Sequence, residues 1–254
     1  MVHQQTFVSA VILCAGRSER MGANINKQFL LLDGYPVAYR SIKVFEENPQ
    51  INEIIVVASN DRLANMKNLV KMGHFQKVRH IVAGGDSRTA SSRIGVSHTH
   101  KNSELVLIHD GARPLVDDLT IERVICGALE TGAAAPGLSI KETVKKVDAE
   151  RCVVDTPNRD VLVTVQTPQG FRKDLYLEAT CDLDDATSLF DDCQLVERLG
   201  CHVKIVQGSE LNLKITTPED IMIAEAICHM KKEMGYSCES GTGTTYMPSK
   251  KIGG

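Results

Sequence analysis

The strongest architectural signal in the sequence is the run Val11-Ile-Leu-Cys-Ala-Gly-Arg-Ser-Glu-Arg-Met-Gly-Ala-Asn-Ile-Asn-Lys-Gln-Phe-Leu-Leu-Leu32. Apolar residues at 7–13 predict a buried strand. The loop that follows the strand carries two glycines and several cations, namely Gly16, Arg17, Arg20, Gly22 and Lys27. Small residues at the carboxyl end of a first parallel strand allow a ligand to approach the backbone closely. The cations indicate that this ligand is a polyphosphate.

The spacing of this loop excludes two familiar phosphate loops. No Lys-Ser or Lys-Thr pair follows Gly22, as a Walker A loop requires, and Ser18 and Met21 break the dinucleotide pattern G-x-G-x-x-G. The sequence therefore predicts a third kind of phosphate loop, in which backbone amides and several cationic side chains bind nucleotide. A glycine-rich turn with solvated charges is the alternative for this segment taken by itself.

Composition describes an ordinary globular protein of 254 residues, of which 43% are hydrophobic and 24% are charged. That length suits one large α/β domain or two small ones. The net charge of -3 and the isoelectric point near 6.2 argue against bulk nucleic-acid binding, so we expect no nucleic-acid partner. Any phosphate site must therefore be a local concentration of Lys and Arg.

The eight cysteines form no C-x-x-C pair and no Cys/His spacing typical of a metal site. Several lie in apolar segments, where cysteine is usually a small buried residue. No apolar run approaches the roughly 20 residues of a membrane span, and no leader-like segment opens the chain. We therefore expect a cytoplasmic protein with no membrane contact.

Strands and helices alternate along most of the chain. Strands are expected at 7–13, 51–58, 78–82, 105–109, 133–140, 161–165 and 202–206. Helices are expected at 37–45, 63–72, about 84–98, 119–130, 173–180, 188–199 and 218–234, the last with Thr217 as its N-cap. This alternation predicts an α/β fold, a Rossmann-like and mostly parallel sheet with helices on both faces. We expect a single domain over residues 5–234 and, because residues 235–254 lack periodicity, a disordered tail.

The alternation of strands and helices is interrupted between residues 139 and 160. Polar and apolar residues alternate on either side of Asp148-Ala149-Glu150, which predicts a β-hairpin with one exposed face. The segment is too long for a simple connection, so we expect it to project as an arm and to pack on a partner. Residues 161–169 are then expected to return to the core.

Several motifs that carry glycine, charged residues or both follow one another in a collinear series between residues 7 and 229. They are Ala15-Gly16, Arg20-Met21-Gly22, Lys27-Gln28-Phe29-Leu30, Gly84-Gly85-Asp86-Ser87-Arg88 with Ser91, His109-Asp110-Gly111-Ala112-Arg113-Pro114, Lys141-Glu142-Thr143-Val144-Lys145, Gln166-Thr167-Pro168-Gln169 and Asn212-Leu213-Lys214-Ile215-Thr216. Together they closely resemble the methylerythritol-phosphate cytidylyltransferases, the CDP-methylerythritol synthases of the non-mevalonate isoprenoid pathway. The ribitol-phosphate cytidylyltransferases share most of these motifs, and Asp155-Thr156-Pro157-Asn158-Arg159 is somewhat more similar to theirs.

The resemblance implies a nucleotidyltransferase type A fold and a CTP-dependent reaction. The enzyme would convert 2-C-methyl-D-erythritol 4-phosphate to CDP-methylerythritol and pyrophosphate in isoprenoid biosynthesis. The alternative is ribitol 5-phosphate, converted to CDP-ribitol for cell-wall polymers. An acceptor phosphate with a second pKa of about 6 is mostly dianionic at pH 7, so the reaction needs no general base. It needs charge to be cancelled as one anion attacks another, which positioning and electrostatics supply.

The same resemblance implies roles for individual residues. Catalysis around the α-phosphate would fall to Arg20, Lys27 and Lys214. Nucleotide would be bound by Cys14, Ala15, Gly16, Gly85, Asp86 and Ser91, and the alditol phosphate by Asp110, Arg113, Thr143, Arg159 and Thr167. The expected cofactor is Mg²⁺, held mainly by the CTP phosphates, with Asp110 as a candidate ligand. The arm would cross to a second subunit, which implies a homodimer with arm exchange.

Structural roles compete with these assignments at several positions. Lys27 by itself suits a solvated loop lysine, and Asp110 suits a cap of the turn that follows it. Arg113 is equally consistent with a local salt bridge, and Thr143 with an ordinary hairpin face. His109 ends a buried strand, and we interpret it as a core histidine and not as a catalyst.

Two positions depart from the family pattern. Ser18 stands where the family often has a second glycine. Phe190 stands where the family has a threonine that contacts substrate, so the identity of the alditol is left undecided. Two other classes of protein are alternatives to a cytidylyltransferase. The first is a sugar-1-phosphate nucleotidyltransferase that uses UTP or GTP, and the second is a nucleotide-binding regulatory module without catalysis. The motif at 84–86 and the arm argue against the first class. Retention of Arg20, Lys27 and Lys214 argues against the second.

Overall fold

The computed structural model describes residues 6–16, 27–181 and 189–234, and the predicted first strand lies inside its main sheet. The strands are β1 (Val8–Cys14), β2 (Leu31–Leu32), β3 (Tyr35–Pro36), β4 (Glu53–Ala58), β5 (Val78–Ala83), β6 (Leu105–Asp110), β7 (Ala133–Ser139), β8 (Lys146–Val147), β9 (Val153–Asp155), β10 (Val163–Val165), β11 (Gln169–Arg172) and β12 (Lys204–Gln207). The helices are α1 (Val37–Glu47), α2 (Leu63–Met72), α3 (Arg88–Ser97), α4 (Asp118–Thr131), α5 (Lys173–Thr180), α6 (Cys193–Glu197) and α7 (Pro218–Glu233).

The main sheet of the described residues has the order β10-β7-β11-β6-β1-β4-β5, and β12 also pairs with β7. β1 pairs in parallel with both β4 and β6, and β4 pairs in parallel with β5. β11 runs antiparallel between β6 and β7, while β7 has β12 in parallel and β10 in antiparallel. The sheet is therefore mostly parallel, as the alternation of elements predicts.

Successive side chains of β1 point into two different apolar layers, because strand residues alternate between the faces of a sheet. The even-numbered residues of 8–14 pack in a layer with α1, α2 and α4. Val11 and Leu13 pack in a layer with α3, α5 and α6. The predicted helices on both faces are confirmed. Ligands therefore have access to the carboxyl edge, where the neighbouring strands β5, β4, β1 and β6 end.

Several predicted boundaries are confirmed. Helices α2 and α5 have the predicted bounds. α7 begins after Thr217, whose side chain and backbone form a capping box with Asp220. The predicted disordered tail at 235–254 lies outside the described residues. Within the described ranges, each helix is too short or too polar to span a bilayer.

The predicted hairpin is confirmed as β8 and β9, and both of its faces are exposed in the described part of the chain. Its packing on a partner stays a prediction. Two other expectations about the second half of the chain are wrong. Residues 161–165 do not return to the core, since Val161 is 78% exposed and β10 is the last strand at its end of the sheet. The helix expected at 188–199 is reduced to α6, because the Asp192 N–H donates to the Gln169 side chain and not to a helix carbonyl.

Candidate active site

The glycine-rich loop after β5 contacts the end of β1. A Cβ built on Gly84 would lie 2.6 Å from the Ala15 Cβ and 2.7 Å from the Ser91 Oγ, so a residue with a side chain would push these segments apart. The loop is held on the other side by the Gly84 N–H, which donates to the Ala58 carbonyl at 2.8 Å. Gly84 thus brings the predicted nucleotide-binding segments 14–16 and 85–91 together.

Residues 85–91 form the entry to α3. Ser87 is the N-cap, and its side chain accepts from the Ala90 N–H at 3.0 Å. The buried Ser91 hydroxyl accepts from the Gly85 N–H at 3.2 Å and donates to the Gly85 carbonyl at 3.4 Å. Asp86 is exposed at the same turn. The loop therefore has a fixed backbone and an outward carboxylate.

A buried acid surrounded by three cations lies at the end of β6. Asp110 is the last residue of this strand, and not part of the following loop as the sequence suggested. Its Oδ2 lies 2.8 Å from the Lys214 Nζ and 3.7 Å from the Arg113 Nε, and its Oδ1 lies 3.4 Å from the Arg88 guanidinium. Burial alone would raise the pKa of Asp110, but the three cations hold it well below its usual range. Asp110 is therefore ionised at neutral pH.

A chain of hydrogen bonds fixes the backbone beneath this acid. The Asp110 N–H donates to the Thr167 Oγ1 at 3.0 Å, and the Thr167 hydroxyl donates to the His109 Nδ1 at 3.1 Å. The His109 Nε2–H donates to the Arg113 carbonyl at 3.1 Å. Burial lowers the pKa of His109 to about 4, so the ring is neutral at pH 7. His109 is a fully buried core residue, as predicted.

The loop that carries Lys214 is tied to the same strand end. The Arg113 Nη1 donates to the Asn212 carbonyl at 2.7 Å, and the Asn212 side-chain amide donates to the Thr167 carbonyl at 2.8 Å. The Ile215 N–H donates to the Ala112 carbonyl at 2.7 Å. Two bonds at Asn212 and one at Ile215, on either side of Lys214, thus position its ammonium beside Asp110.

Cys14 and Lys27 belong to the same edge. A Cβ on Gly111 would overlap the Cys14 sulfur, so the turn after β6 packs directly on the end of β1. Burial, aided by the negative charge of Asp110, raises the pKa of Cys14 to about 12, while the charge of Lys27 opposes this rise. Lys27 therefore lies within electrostatic reach of Cys14. The third predicted catalytic cation, Arg20, lies outside the described residues, as does Ser18.

The two arm residues are not brought to this cluster. Thr143 is exposed, and the exposed Arg159 donates from Nη1 to the Lys141 carbonyl at 2.7 Å. Lys141 in turn forms an ion pair of 2.7 Å with Glu210. Within the described part of one chain, no contact joins Thr143 or Arg159 to Asp110. Their predicted substrate contacts stay predictions, as does that of Thr167, whose hydroxyl is engaged in the chain of hydrogen bonds described above.

Arg88 and Asp192 have no role predicted from the sequence. Arg88 is the first residue of α3, and its Nη1 forms an ion pair with the Asp192 Oδ2. A cation in the first turn of a helix opposes the helix dipole, which is the local signal that Arg88 has an acidic partner. No local signal identifies Asp192 as that partner, because 104 residues separate the two. Phe190, nearby, is 93% exposed.

The donor set bears on the expected metal. No group of three or more His, Cys, Asp or Glu side chains in the described residues has a geometry that holds a metal ion. Both oxygens of Asp110 are engaged with cations. A cation at this edge would therefore take most of its ligands from a bound triphosphate, which suits Mg²⁺ because it retains water and phosphate ligands.

A glycine-lined loop and a cluster of Lys and Arg, together at the carboxyl edge of a mostly parallel sheet, suit an enzyme that binds and transfers nucleotide phosphates, such as a nucleotidyltransferase. A family model described as "2-C-methyl-D-erythritol 4-phosphate cytidylyltransferase" matches residues 8–230. The chain belongs to this family of cytidylyltransferases.

Relatives with this name are similar over nearly their whole length. The 2-C-methyl-D-erythritol 4-phosphate cytidylyltransferase of Alkaliphilus metalliredigens is 39% identical over 234 residues, which covers 91% of this chain and 97% of the relative. That of Caldanaerobacter subterraneus is 44% identical over 220 residues, or 86% of this chain and 97% of the relative. The crystal structure of 4-diphosphocytidyl-2C-methyl-D-erythritol synthase from Anaerococcus prevotii has a TM-score of 0.79 at 31% identity, over 89% of this chain and all of that one. These relatives favour methylerythritol phosphate over ribitol phosphate.

Proposed function

We propose that this chain transfers a cytidylyl group from CTP to 2-C-methyl-D-erythritol 4-phosphate, releasing pyrophosphate. The observation that carries the proposal is the ionised Asp110, which is surrounded by Arg88, Arg113 and Lys214. This cluster lies beside the glycine-rich loop after β5, which Gly84 packs on Ala15 and which is called the nucleotide loop below. Hydroxyl groups of an alditol suit the carboxylate, and phosphates suit the surrounding cations. The product fits a biosynthetic role in isoprenoid formation.

The reaction is a displacement at the α-phosphorus of CTP. An oxygen of the acceptor phosphate forms a bond to this phosphorus, and the bond from the phosphorus to the bridging oxygen breaks. Pyrophosphate leaves with the electron pair. The nucleophile is already an anion, so no protein base is required. His109 suits this scheme, because it is neutral and both of its ring nitrogens are engaged in hydrogen bonds.

Charge neutralisation is the main task left for the protein. Lys214 donates to Asp110 but is partly exposed, so its remaining ammonium protons can face a phosphate. We assign Lys27 and Arg20 to the same task, Lys27 because it lies near the end of β1 and Arg20 on sequence similarity. Mg²⁺ would be held mainly by triphosphate oxygens, with Asp110 as the candidate protein ligand. When bound, the ion would supply further neutralisation of the phosphate charge.

Assembly into a homodimer is part of the proposal. Val153 and Val161 are 58% and 78% exposed, and the neighbouring strands β9 and β10 are exposed along their length in the described part of the chain. A second copy would cover this apolar surface and bring its own Thr143 and Arg159 to the site. A cytoplasmic location suits the seven described cysteines, all of which are free thiols.

The experiment is turnover of purified protein with each substrate pair. Pyrophosphate release is followed with CTP or UTP, and with methylerythritol phosphate or ribitol 5-phosphate as acceptor. We expect release with CTP and methylerythritol phosphate, and its loss when EDTA removes divalent ions. Preference for ribitol 5-phosphate would overturn the assigned acceptor, and equal use of UTP would overturn the assigned nucleotide. Binding of CTP without turnover of either acceptor would favour a regulatory module.

A further inference from the structure

Arg88 lies where three walls of the candidate site meet. It follows the N-cap Ser87 of the nucleotide loop. Its Nε and Nη2 lie 3.4 Å from the Asp110 Oδ1, and its Nη1 pairs with the Asp192 Oδ2. One planar guanidinium thus bridges the nucleotide loop, the end of β6 and the turn at 189–193. This fork geometry is available to Arg and not to Lys.

The acid on the far side of the bridge is itself rigidly held. The Asp192 side chain is fully buried, and its Oδ1 accepts from the Tyr176 hydroxyl at 3.2 Å. The Asp192 N–H donates to the Gln169 Oε1 at 3.0 Å, and the Gln169 Nε2 donates to the Asp191 Oδ2 at 3.0 Å. The turn at 189–193 is therefore anchored to β11 and α5, and Arg88 connects this anchor to Asp110.

The positive charge of Arg88 is stabilised by its two acidic partners, Asp110 and Asp192. At the first position of α3, a cation opposes the helix dipole and gains nothing from the helix. Burial alone would lower the pKa of Arg88, but the carboxylates of Asp192 and Asp110 raise it above the ordinary value. Because Arg88 holds the Asp110 Oδ1, the Oδ2 is left to face Lys214 and Arg113. The bridge therefore sets the orientation of the Asp110 carboxylate.

We propose that Arg88 is a positioning residue that orients Asp110 and ties the turn at 189–193 to the nucleotide loop. This inference rests on the proposed function, in which Asp110 binds the acceptor. Arg88 acts through the two acids and does not itself touch the reacting atoms. Its removal should therefore impair use of the acceptor alditol phosphate more than binding of CTP.

Two variants distinguish loss of the Arg88 bridge from loss of the Arg88 charge and from misfolding. Arg88→Lys keeps the charge, but one ammonium cannot hold both carboxylates in the same geometry. The double variant Arg88→Met with Asp192→Asn removes the bridge without leaving an unpaired buried carboxylate, so it preserves the fold. Arg172→Met is the matched control, because Arg172 forms an exposed ion pair with Asp174 at 3.4 Å. KM and kcat are measured for both substrates, together with hydrogen exchange over residues 189–193.

Both bridge variants should lose about ten- to a hundredfold in kcat/KM for the acceptor, as expected for a misplaced binding group. Their KM for CTP should stay near the wild-type value, exchange at 189–193 should accelerate, and Arg172→Met should behave as wild type. Wild-type kinetics in either variant, or a loss confined to the KM for CTP, would overturn the proposal. If the wild-type protein turned over neither acceptor, the proposed function would fail, and exchange would decide on the bridge. Unchanged exchange at 189–193 would then overturn it.

Discussion

The sheet-edge cluster (Asp110, Arg88, Arg113 and Lys214) differs in construction from the arm (residues 139–160) and the exposed residues 161–165 that follow it. In the cluster, each charged group has a partner of opposite sign within the same chain, and the backbone beneath is hydrogen-bonded. In the arm and at 161–165, valines lie on short strands that are exposed along their length in the described part of the chain. A single chain therefore prearranges its charge-handling groups, whereas the apolar surface of its arm and of residues 161–165 stays exposed to solvent.

The largest expected effect concerns the cluster. Lys214→Ala should lower kcat by about 10²–10³-fold, because it removes one preorganised donor from the developing phosphate charge. Lys204→Ala is the matched control, since Lys204 also pairs with an acid, Glu130, but on the protein surface. Steady-state pyrophosphate release measures both variants. A kcat for Lys214→Ala within about tenfold of wild type would contradict a role worth a few kcal/mol.

A second effect of similar size concerns the pH dependence of the cluster's stability. The cations beside Asp110 depress its folded-state pKa, so its contribution is fully present above the unfolded-state value of about 3.9 and is lost as pH falls below that value. Asp110→Asn should reduce the free energy of unfolding at pH 7 by about 3 kcal/mol. Urea unfolding at several pH values should find this deficit narrowing in acid. A deficit in the free energy of unfolding that does not change with pH would contradict a stabilising role of the ionised Asp110.

A smaller effect tests the hydrogen-bond chain beneath the acid. Thr167→Val removes the hydroxyl that links the Asp110 N–H to His109, leaving two buried polar groups unpaired at a cost of about 2 kcal/mol. Thr167→Ser retains the hydroxyl and should remain close to wild type. Thermal or urea unfolding measures both. If Thr167→Val is as stable as Thr167→Ser but has a raised KM for the acceptor, Thr167 is a substrate contact and not a support of the strand end.

The smallest effect on chain stability belongs to the exposed residues 161–165 that follow the arm. Val161→Asp should change the free energy of unfolding of the isolated chain by less than about 0.5 kcal/mol, because the side chain is already exposed. It should nevertheless weaken the dimer, as measured by sedimentation at several concentrations. Met222→Asp is the control, since Met222 is similarly exposed on α7. A wild-type protein that stays monomeric, or a Val161→Asp dimer of unchanged affinity, would contradict a role of this surface in assembly.

The sequence predicts local features well and distant pairings poorly. The bounds of α2 and α5, the cap at Thr217 and the parallel sheet follow from periodicity and cap chemistry that act over a few residues. The ion pair of Arg88 with Asp192 does not, because it joins residues 104 positions apart. The exposure of 161–165 was missed for a related reason. An apolar β-branched run has the same pattern whether its own chain or another surface covers it.

The site residues divide in the same way. Motif similarity identified Asp110, Arg113 and Lys214, and the structure brings these three together. Similarity also suggested that Thr167 contacts substrate, which stays a prediction. The structure adds a role that similarity did not suggest, because the Thr167 hydroxyl supports the end of β6. Such hydrogen bonds depend on the distance between β6 and the segment before β11, which is a property of the assembled sheet and not of either motif.

Cys14 has a consequence for covalent chemistry. Its thiol is buried at the nucleotide edge, and its pKa of about 12 leaves almost no thiolate at neutral pH. Electrophiles react with thiolate and need access, so alkylating reagents should spare Cys14. They should instead modify exposed thiols such as Cys126, Cys181 and, at the tip of the arm, Cys152. A thiol label therefore reaches the arm at Cys152 and leaves the end of β1 unmodified, and an inhibitor aimed at the candidate site cannot rely on covalent capture by Cys14.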